Sequence, residues 1–219
     1  MFLWPSKPRE INDPEKLIET LNDLGKLDNY RVQVKKNGAR AISSIESKVT
    51  IYDRRNTMLT MAMEKDWSAL LKIFPTNTLL DGELIGRKQG ETSNRLYLWD
   101  MPVVGGQDLT KVSYDERYQE LISLFIGKGH GTELQGWTES PEWFHRDYGS
   151  VTIGIAKVYP ASEWKNLLKS IDYQGSTGEN EGLVFKDITH PLSWDRSKTR
   201  DISQQVKFLL KYIPPWEKS

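Results

Sequence analysis

Short segments rich in Val, Ile and Tyr follow one another along this chain, each ended by a turn-forming pair or a polar stretch, and that succession most narrows the possible folds. Residues 30–36, 39–46 and 48–54 read as adjacent antiparallel strands, the first two joined by a hairpin whose turn is Asn37-Gly38. Residues 78–86, 95–101, 151–159, 182–186 and 205–212 have the same strand composition. Helical patterns lie between them. Asp13 before Pro14 supplies an N-cap and a first helical position, and Leu17, Ile18, Leu21 and Leu24 recur at helical spacing. Residues 64–74 and 162–171 read as helices, and Ser113 with Glu116 makes a capping box ahead of Tyr118, Leu121, Ile122 and Phe125. Residues 127–148, rich in Gly, His, Trp and acids without a period, predict a long irregular excursion. Together these segments predict an α+β fold of mixed, mainly antiparallel sheets flanked by helices. A chain of 219 residues is long enough for one good core, so a single domain over residues 1–219 is expected.

Composition sets outer limits on function. Thirty basic residues balance thirty acidic ones, so the whole-chain field does not point to a polyanion and any basic surface is local. Positive charge gathers at Lys35, Lys36 and Arg40, at Arg54 and Arg55, and again over residues 196–211. Without cysteine, neither disulfides nor a thiolate metal site can hold the fold, and an intracellular, cytoplasmic setting is the easier reading, including that of a phage or viral protein in a host cytoplasm. His130, His145 and His190 lie too far apart to suggest a zinc site. No apolar run is long enough to span a bilayer, so no membrane partner is expected.

The chemistry starts at Val34-Lys35-Lys36-Asn37-Gly38-Ala39-Arg40. A lysine at the end of an apolar strand, just before a tight turn, projects its amine into a cleft, and a glycine there lets a phosphate approach the backbone. Neighbouring cations, here Lys36 and Arg40, favour the neutral and nucleophilic amine. Asp81-Gly82-Glu83 and Glu181-Gly182 each set a carboxylate beside a glycine at a strand end, where it can hold a ribose hydroxyl or a divalent cation bridging phosphates. Lys207 stands on a strand near the far end of the chain. Trp137, Trp143, Phe144 and His145 could stack on unpaired bases, but such aromatics more often pin a loop onto the core.

In this order the segments resemble the boxes of the covalent nucleotidyltransferase superfamily, the ATP-dependent DNA ligases, RNA ligases and messenger-RNA capping guanylyltransferases. Lys35 to Arg40 looks like its lysine-x-aspartate-glycine-x-arginine box, with Asn37 in the aspartate's place. Tyr52-Asp53-Arg54-Arg55-Asn56 is similar to the arginine-containing strand end, Asp81-Gly82-Glu83 to the third box, and Tyr97-Leu98-Trp99-Asp100-Met101 to the aromatic-Asp-aliphatic strand. Glu181 to Lys186 matches the glutamate-glycine box that ends in lysine. The resemblance implies a ligase-type, ATP-grasp-like nucleotidyltransferase domain in which Lys35 forms the phosphoramidate. It implies that Arg40 and Glu83 hold the ribose, Trp99 stacks on the purine, Glu181 with Glu83 places the metal, and Lys207 reaches the α-phosphate. Arg54, Lys186 and Lys211 complete the nucleotide contacts it implies.

Gln33 occupies the position from which DNA ligases contact the adenine amino group with a glutamate. An amide oxygen can accept that bond, while its nitrogen can donate to guanine instead. Two departures stand out. The family's last box has two lysines separated by one residue, whereas here Lys211 is the next lysine after Lys207. Only residues 212–219 follow, too few for the oligonucleotide-binding barrel that family members carry, which predicts a catalytic domain acting alone or with a separate barrel or partner protein. The implied activity is ATP-dependent polynucleotide ligation, DNA ahead of RNA, with Mg2+ (or Mn2+ in its place), nucleic-acid ends as substrate and a monomeric protein. A GTP-using guanylyltransferase and a non-catalytic nucleic-acid-binding module are the alternatives.

Overall fold

A computed structural model of the chain describes residues 8–63, 65–86, 94–127, 137–173, 178–192 and 205–210. Five strands form the first sheet: β1 (Arg9–Ile11), β2 (Tyr30–Lys36), β11 (Tyr159–Pro160), β12 (Asn180–Asp187) and β13 (Gln205–Leu209), in the order β1-β13-β12-β2-β11. The second sheet runs β4 (Val49–Tyr52), β3 (Ala39–Ile45), β5 (Thr78–Ile85), β6 (Arg95–Val104), β10 (Val151–Ala156), β9 (Trp143–Tyr148) and β8 (Thr138–Glu139), with β7 (Gln107–Asp108) paired to β6. Pairing is antiparallel except for β1 with β13 and β10 with β6. The expected α+β class, mainly antiparallel, is what the chain adopts.

Helices cover the outer faces. Alternation along β2, β12 and β13 sends Val32, Val34, Leu183, Phe185, Val206 and Phe208 to one side, where they pack with Leu17 and Ile18 of α1 (Pro14–Asp23) and with Trp164 and Leu167 of α5 (Trp164–Ser170). Alternation in the second sheet buries Leu80, Leu84, Leu96 and Leu98 against Leu121 and Phe125 of α4 (Tyr114–Gly127). Each such side chain contributes about 1.5–3 kcal/mol by burial. The opposite faces of the two sheets are left to line a cleft.

Both helix-start signals hold. Lys16 N–H donates to Asp13 Oδ1 at 3.0 Å, and Ser113 N–H and Glu116 Oε2 meet at 2.9 Å while Glu116 N–H donates to Ser113 Oγ at 3.3 Å. Four expectations are corrected. The helix expected over 64–74 is confined to α3 (Ala69–Ile73); a separate short helix, α2 (Thr60–Met63), precedes the segment, and between the two Trp67 turns inward to donate from Nε1 to Ala62 O at 2.8 Å. Residue 64 lies outside the described residues. The excursion expected over 127–148 contains β8 and β9, pinned by Trp143 against Tyr97 and by Trp137 against Phe125, while 128–136 lie outside the described residues. The strand expected over 151–159 breaks after Ala156, and β11 joins the other sheet.

The fourth correction matters most for the site: β2 and β3 are not a hairpin. β2 pairs with β12 and β11, whereas β3 pairs with β4 and β5. Asn37-Gly38 is the crossing between the two sheets. Asn37 donates its backbone N–H to Glu179 O at 2.7 Å and its Nδ2 to Gly178 O at 2.9 Å, while Gly38 N–H donates to Glu83 Oε1 at 3.0 Å. A Cβ on Gly38 would lie 2.5 Å from Leu84 O, so the glycine serves a close crossing of backbones and not a reversal.

Candidate active site

Because the chain passes from one sheet to the other directly after Lys36, the end of β2 lies at the seam between them. Consecutive strand residues point to opposite faces, so Lys35 and Lys36 part company. Lys35 turns into the cleft, where its Nζ stands 3.0 Å from Glu181 Oε1. Lys36 turns to the back, buried, with Nζ bound to Glu142 and, at 2.8 Å, to Asn180 Oδ1. The expected electrostatic help from Lys36 to Lys35 is therefore absent. Arg40 does not supply it either, since its guanidinium is engaged in a two-pronged ion pair with Asp81. The group in contact with Lys35 is a carboxylate.

Glu181 reaches Lys35 through an irregularity in the ladder. Asn180 pairs with Lys36 and Gly182 with Lys35, which leaves Glu181 as the extra residue on β12. Gly182 takes φ +153°, and a Cβ there would lie 1.9 Å from Phe208 O. Only glycine permits this bulge. A second bulge sits opposite, where β5 and β6 shift register between Asp81↔Asp100 and Gly82↔Leu98, leaving Trp99 without a strand partner. Asp81-Gly82-Glu83 thus lies inside a strand and not at its end, as had been expected. Gly82 is there because a Cβ would fall 2.5 Å from Tyr97 O.

The cleft holds a cavity of about 570 Å³. Gln33, Lys35, Lys186 and Lys207 line it from the first sheet and Arg40, Glu83 and Trp99 from the second, with Arg54 and Glu181 at the same cavity. Every candidate site residue among the described ones is therefore at one place; Lys211 lies outside the described residues. Arg54 is exposed on a turn organised by Asp53, whose Oδ1 accepts from the N–H groups of Arg55 and Thr57, both at 2.8 Å. Arg40 lies 4.8 Å from the Trp99 ring, a cation over the face expected to receive a purine. Lys207 Nζ is 2.9 Å from Glu10 Oε2, since parallel pairing of β1 with β13 sets Glu10 beside it.

Beneath the cavity is a buried charged layer that the sequence reading did not assemble. Arg117 of α4 binds Asp100 through Nε at 2.8 Å and through Nη2 at 3.0 Å, and its Nη1 donates to Val112 O. Burial pushes the Asp81 carboxyl above its ordinary range, against the opposing pull of Arg40. Lys186 Nζ, buried, donates to Tyr114 Oη at 3.2 Å and lies 4.3 Å over that ring. Desolvation lowers its pKa to about 7, with Asp100 and Asp81 acting in the opposite direction. Asp81 and Tyr114 were visible in the sequence next to recognised features. Glu10 carried no signal, because only the long-range pairing of β1 with β13 places it.

No group of three or more His, Asp or Glu side chains that could hold a metal converges among the described residues. The carboxylates at the cavity are Glu83, whose Oε1 accepts from Gly38, Glu181, and Asp53, whose Oδ1 is already taken by the N–H groups of its own turn. This fits a hard cation that takes most of its oxygen ligands from phosphates and water, and not an all-protein cage. No described helix is long and apolar enough to cross a membrane.

A model of the mRNA capping enzyme catalytic domain matches residues 17–201. The chain belongs to that family. Among solved structures, it superposes on a mycobacterial DNA ligase D complexed with ATP and MES with a TM-score of 0.56 at 14% identity, covering 83% of this chain and 54% of that one. The ligase domain from M. tuberculosis LigD gives 0.55 at 14%, over 81% and 54%, and an archaeal ATP-dependent RNA ligase gives 0.52 at 14%, over 94% and 48%. The chain spans about half the length of these structures. No curated protein matches it in sequence. The capping-enzyme domain and the ligases share the covalent nucleotidyltransferase superfamily, and this chain is a member of it, with the fold expected from its boxes.

Proposed function

We propose that this capping-family domain is an ATP-dependent polynucleotide ligase that works through a lysyl-AMP intermediate, with DNA ends favoured over RNA. The observation that carries this reading is Lys35 at the seam of two sheets, its amine in the cavity beside Glu181, with four further cations and Trp99 around the same space.

In the first step Lys35 Nζ forms a bond to the α-phosphorus and the bond from that phosphorus to the pyrophosphate oxygen breaks. The amine must lose a proton first, and Glu181 is the carboxylate at hydrogen-bond distance. Lys207 and Arg54 meet the charge that passes to pyrophosphate. Arg40 and Glu83 face the ribose and Trp99 the base. Magnesium, which Glu181 and Glu83 would help to hold, neutralises phosphate charge when bound. AMP then passes from Lys35 to a 5′-phosphate, and a 3′-hydroxyl displaces it to leave a phosphodiester. The ends of nucleic acid are the substrate, and the protein acts as a monomer.

The family match favours a second reading, GTP-using guanylyl transfer, which shares the lysine chemistry. Incubation with labelled ATP or GTP followed by a denaturing gel separates the two. Label from ATP that is lost in Lys35→Ala is the expected result; label from GTP alone overturns the ligase reading. Sealing of nicked duplexes that differ only in 2′-hydroxyls decides between the backbones.

A further inference from the structure

We infer that Tyr114 determines which purine the cavity accepts, by holding the Gln33 carboxamide in one of its two orientations; this rests on reading the cavity as a purine-nucleotide site. Tyr114 is the first residue of α4, buried, stacked on Tyr118 at 5.8 Å and backed by Arg117. Its hydroxyl touches three groups of the site at once: Trp99 O at 3.1 Å, Gln33 Oε1 at 3.3 Å and Lys186 Nζ at 3.2 Å. Burial keeps the phenol protonated, with its pKa well above the ordinary value.

One hydroxyl proton faces two oxygens. The Trp99 carbonyl can only accept, and it belongs to the bulged residue of β6 that has no strand partner. Lys186 donates, so it occupies one lone pair of the phenolic oxygen. Gln33 alone can serve either way, since a half-turn of its terminal torsion exchanges Oε1 and Nε2. If Oε1 stays toward Tyr114, two oxygens share one proton and one of them goes without in a buried place. If Nε2 turns toward Tyr114, the phenol donates to Trp99 and accepts from Lys186 and Gln33, and every group is satisfied.

The second arrangement turns Gln33 Oε1 into the cavity. There it accepts from the exocyclic amine of adenine and opposes the O6 of guanine. Tyr114 touches no atom of the nucleotide in this account. It is a positioning residue, and it is linked to the base through Gln33.

Two measurements test this. Tyr114→Phe keeps the ring and removes only the oxygen, so the ATP-to-GTP ratio of kcat/KM for adduct formation should fall about tenfold or more, the size of one misplaced buried hydrogen bond. The change should lie in KM, with kcat for ATP held within a few-fold. Adding Gln33→Glu, which offers only acceptors, should restore the preference for ATP in the Tyr114→Phe background. An unchanged ratio in Tyr114→Phe, or no restoration in the double variant, overturns the inference. In the unmodified protein, nuclear Overhauser contacts between the Gln33 side-chain amide protons and the Tyr114 ring are expected, and their absence overturns it even where Tyr114→Phe does not fold. This second readout needs no nucleotide. Failure of the protein to take up ATP therefore counts against the functional reading, while the amide contacts decide the role of Tyr114.

Discussion

Gly182→Ala tests whether the bulge that delivers Glu181 to Lys35 depends on the absence of a side chain. The new Cβ would sit 1.9 Å from Phe208 O, 2.9 Å from its carbonyl carbon and 3.0 Å from Leu209 Cα, all backbone atoms. A carbon-to-oxygen contact needs roughly 3.3 Å, so β12 and β13 must separate locally by about 1.4 Å, beyond the reach of their N–H···O bonds. Loss of one such bond costs about 1–3 kcal/mol, and φ +153° in a residue with a Cβ adds about 1–3 kcal/mol. A total of about 2–6 kcal/mol corresponds to a melting temperature lower by roughly 4–24 °C for a chain of this size. Gly149→Ala is the internal control. Its φ is +63° with no atom within 4 Å of the added Cβ, so it should cost only about 1–2 kcal/mol. Urea midpoints at constant slope, measured on both variants, give the comparison. If Gly182→Ala is no less stable than Gly149→Ala, or if it still forms the Lys35 adduct at the native rate, the geometric argument for Glu181 fails.

Arg117→Met leaves the buried Asp100 carboxylate without its two-pronged partner and should cost about 3–5 kcal/mol in chemical denaturation, with much of the loss recovered by adding Asp100→Leu. A single variant no worse than the double would contradict this. The depressed pKa of Lys186, about 7, means that the unfolded chain binds more protons between that value and the ordinary lysine range near 10.5. Stability should therefore rise with pH across that window by a few kcal/mol, with the penalty fully present below pH 7, and Lys186→Met should flatten the profile measured by thermal melts. Ser113→Ala removes the hydroxyl half of the capping box and should lower stability by about 1 kcal/mol, an effect that unchanged melting would rule out.

What could be read from the sequence was what is local or ordered along the chain. The caps at Asp13 and Ser113 are local hydrogen bonds, and the boxes from Lys35 to Lys207 keep their order, so all of them converge on one cavity in the fold. The hairpin at Asn37-Gly38 was misread because two physical situations call for the same residue pair. A tight reversal needs glycine for its φ, and a close crossing of sheets needs glycine for lack of a Cβ; only the contact with Leu84 O distinguishes them. The same ambiguity hid the direction of Lys36, since alternation says that it opposes Lys35 but not that Glu142, 106 residues on, waits behind it. The helix expected from residue 64 starts only at Ala69, and Trp67 in the stretch before it is held for a tertiary reason, the pull of its ring into the core. The charged layer of Asp81, Asp100, Arg117 and Lys186 was out of reach because it forms only when α4 docks under β6.

Three of the cleft's cations are already paired with carboxylates: Lys35 with Glu181, Arg40 with Asp81, Lys207 with Glu10. A polyphosphate entering the cavity therefore exchanges partners and does not simply meet free charge. When Lys35 and Lys207 turn to phosphate oxygens, the carboxylates of Glu181 and Glu10 are left beside a polyanion, which at short range is repulsive by several kcal/mol at an effective dielectric constant of about 20. The exchange would become favourable with a divalent cation, which Glu181 would help to hold and which would offset the charge left on the displaced carboxylate. This explains in electrostatic terms why nucleotide and metal should act together in a site where no metal cage forms among the described residues. It also implies that Glu181→Gln should loosen the dependence on magnesium more than it weakens nucleotide binding itself, a separation that titrating the metal at fixed ATP would read directly.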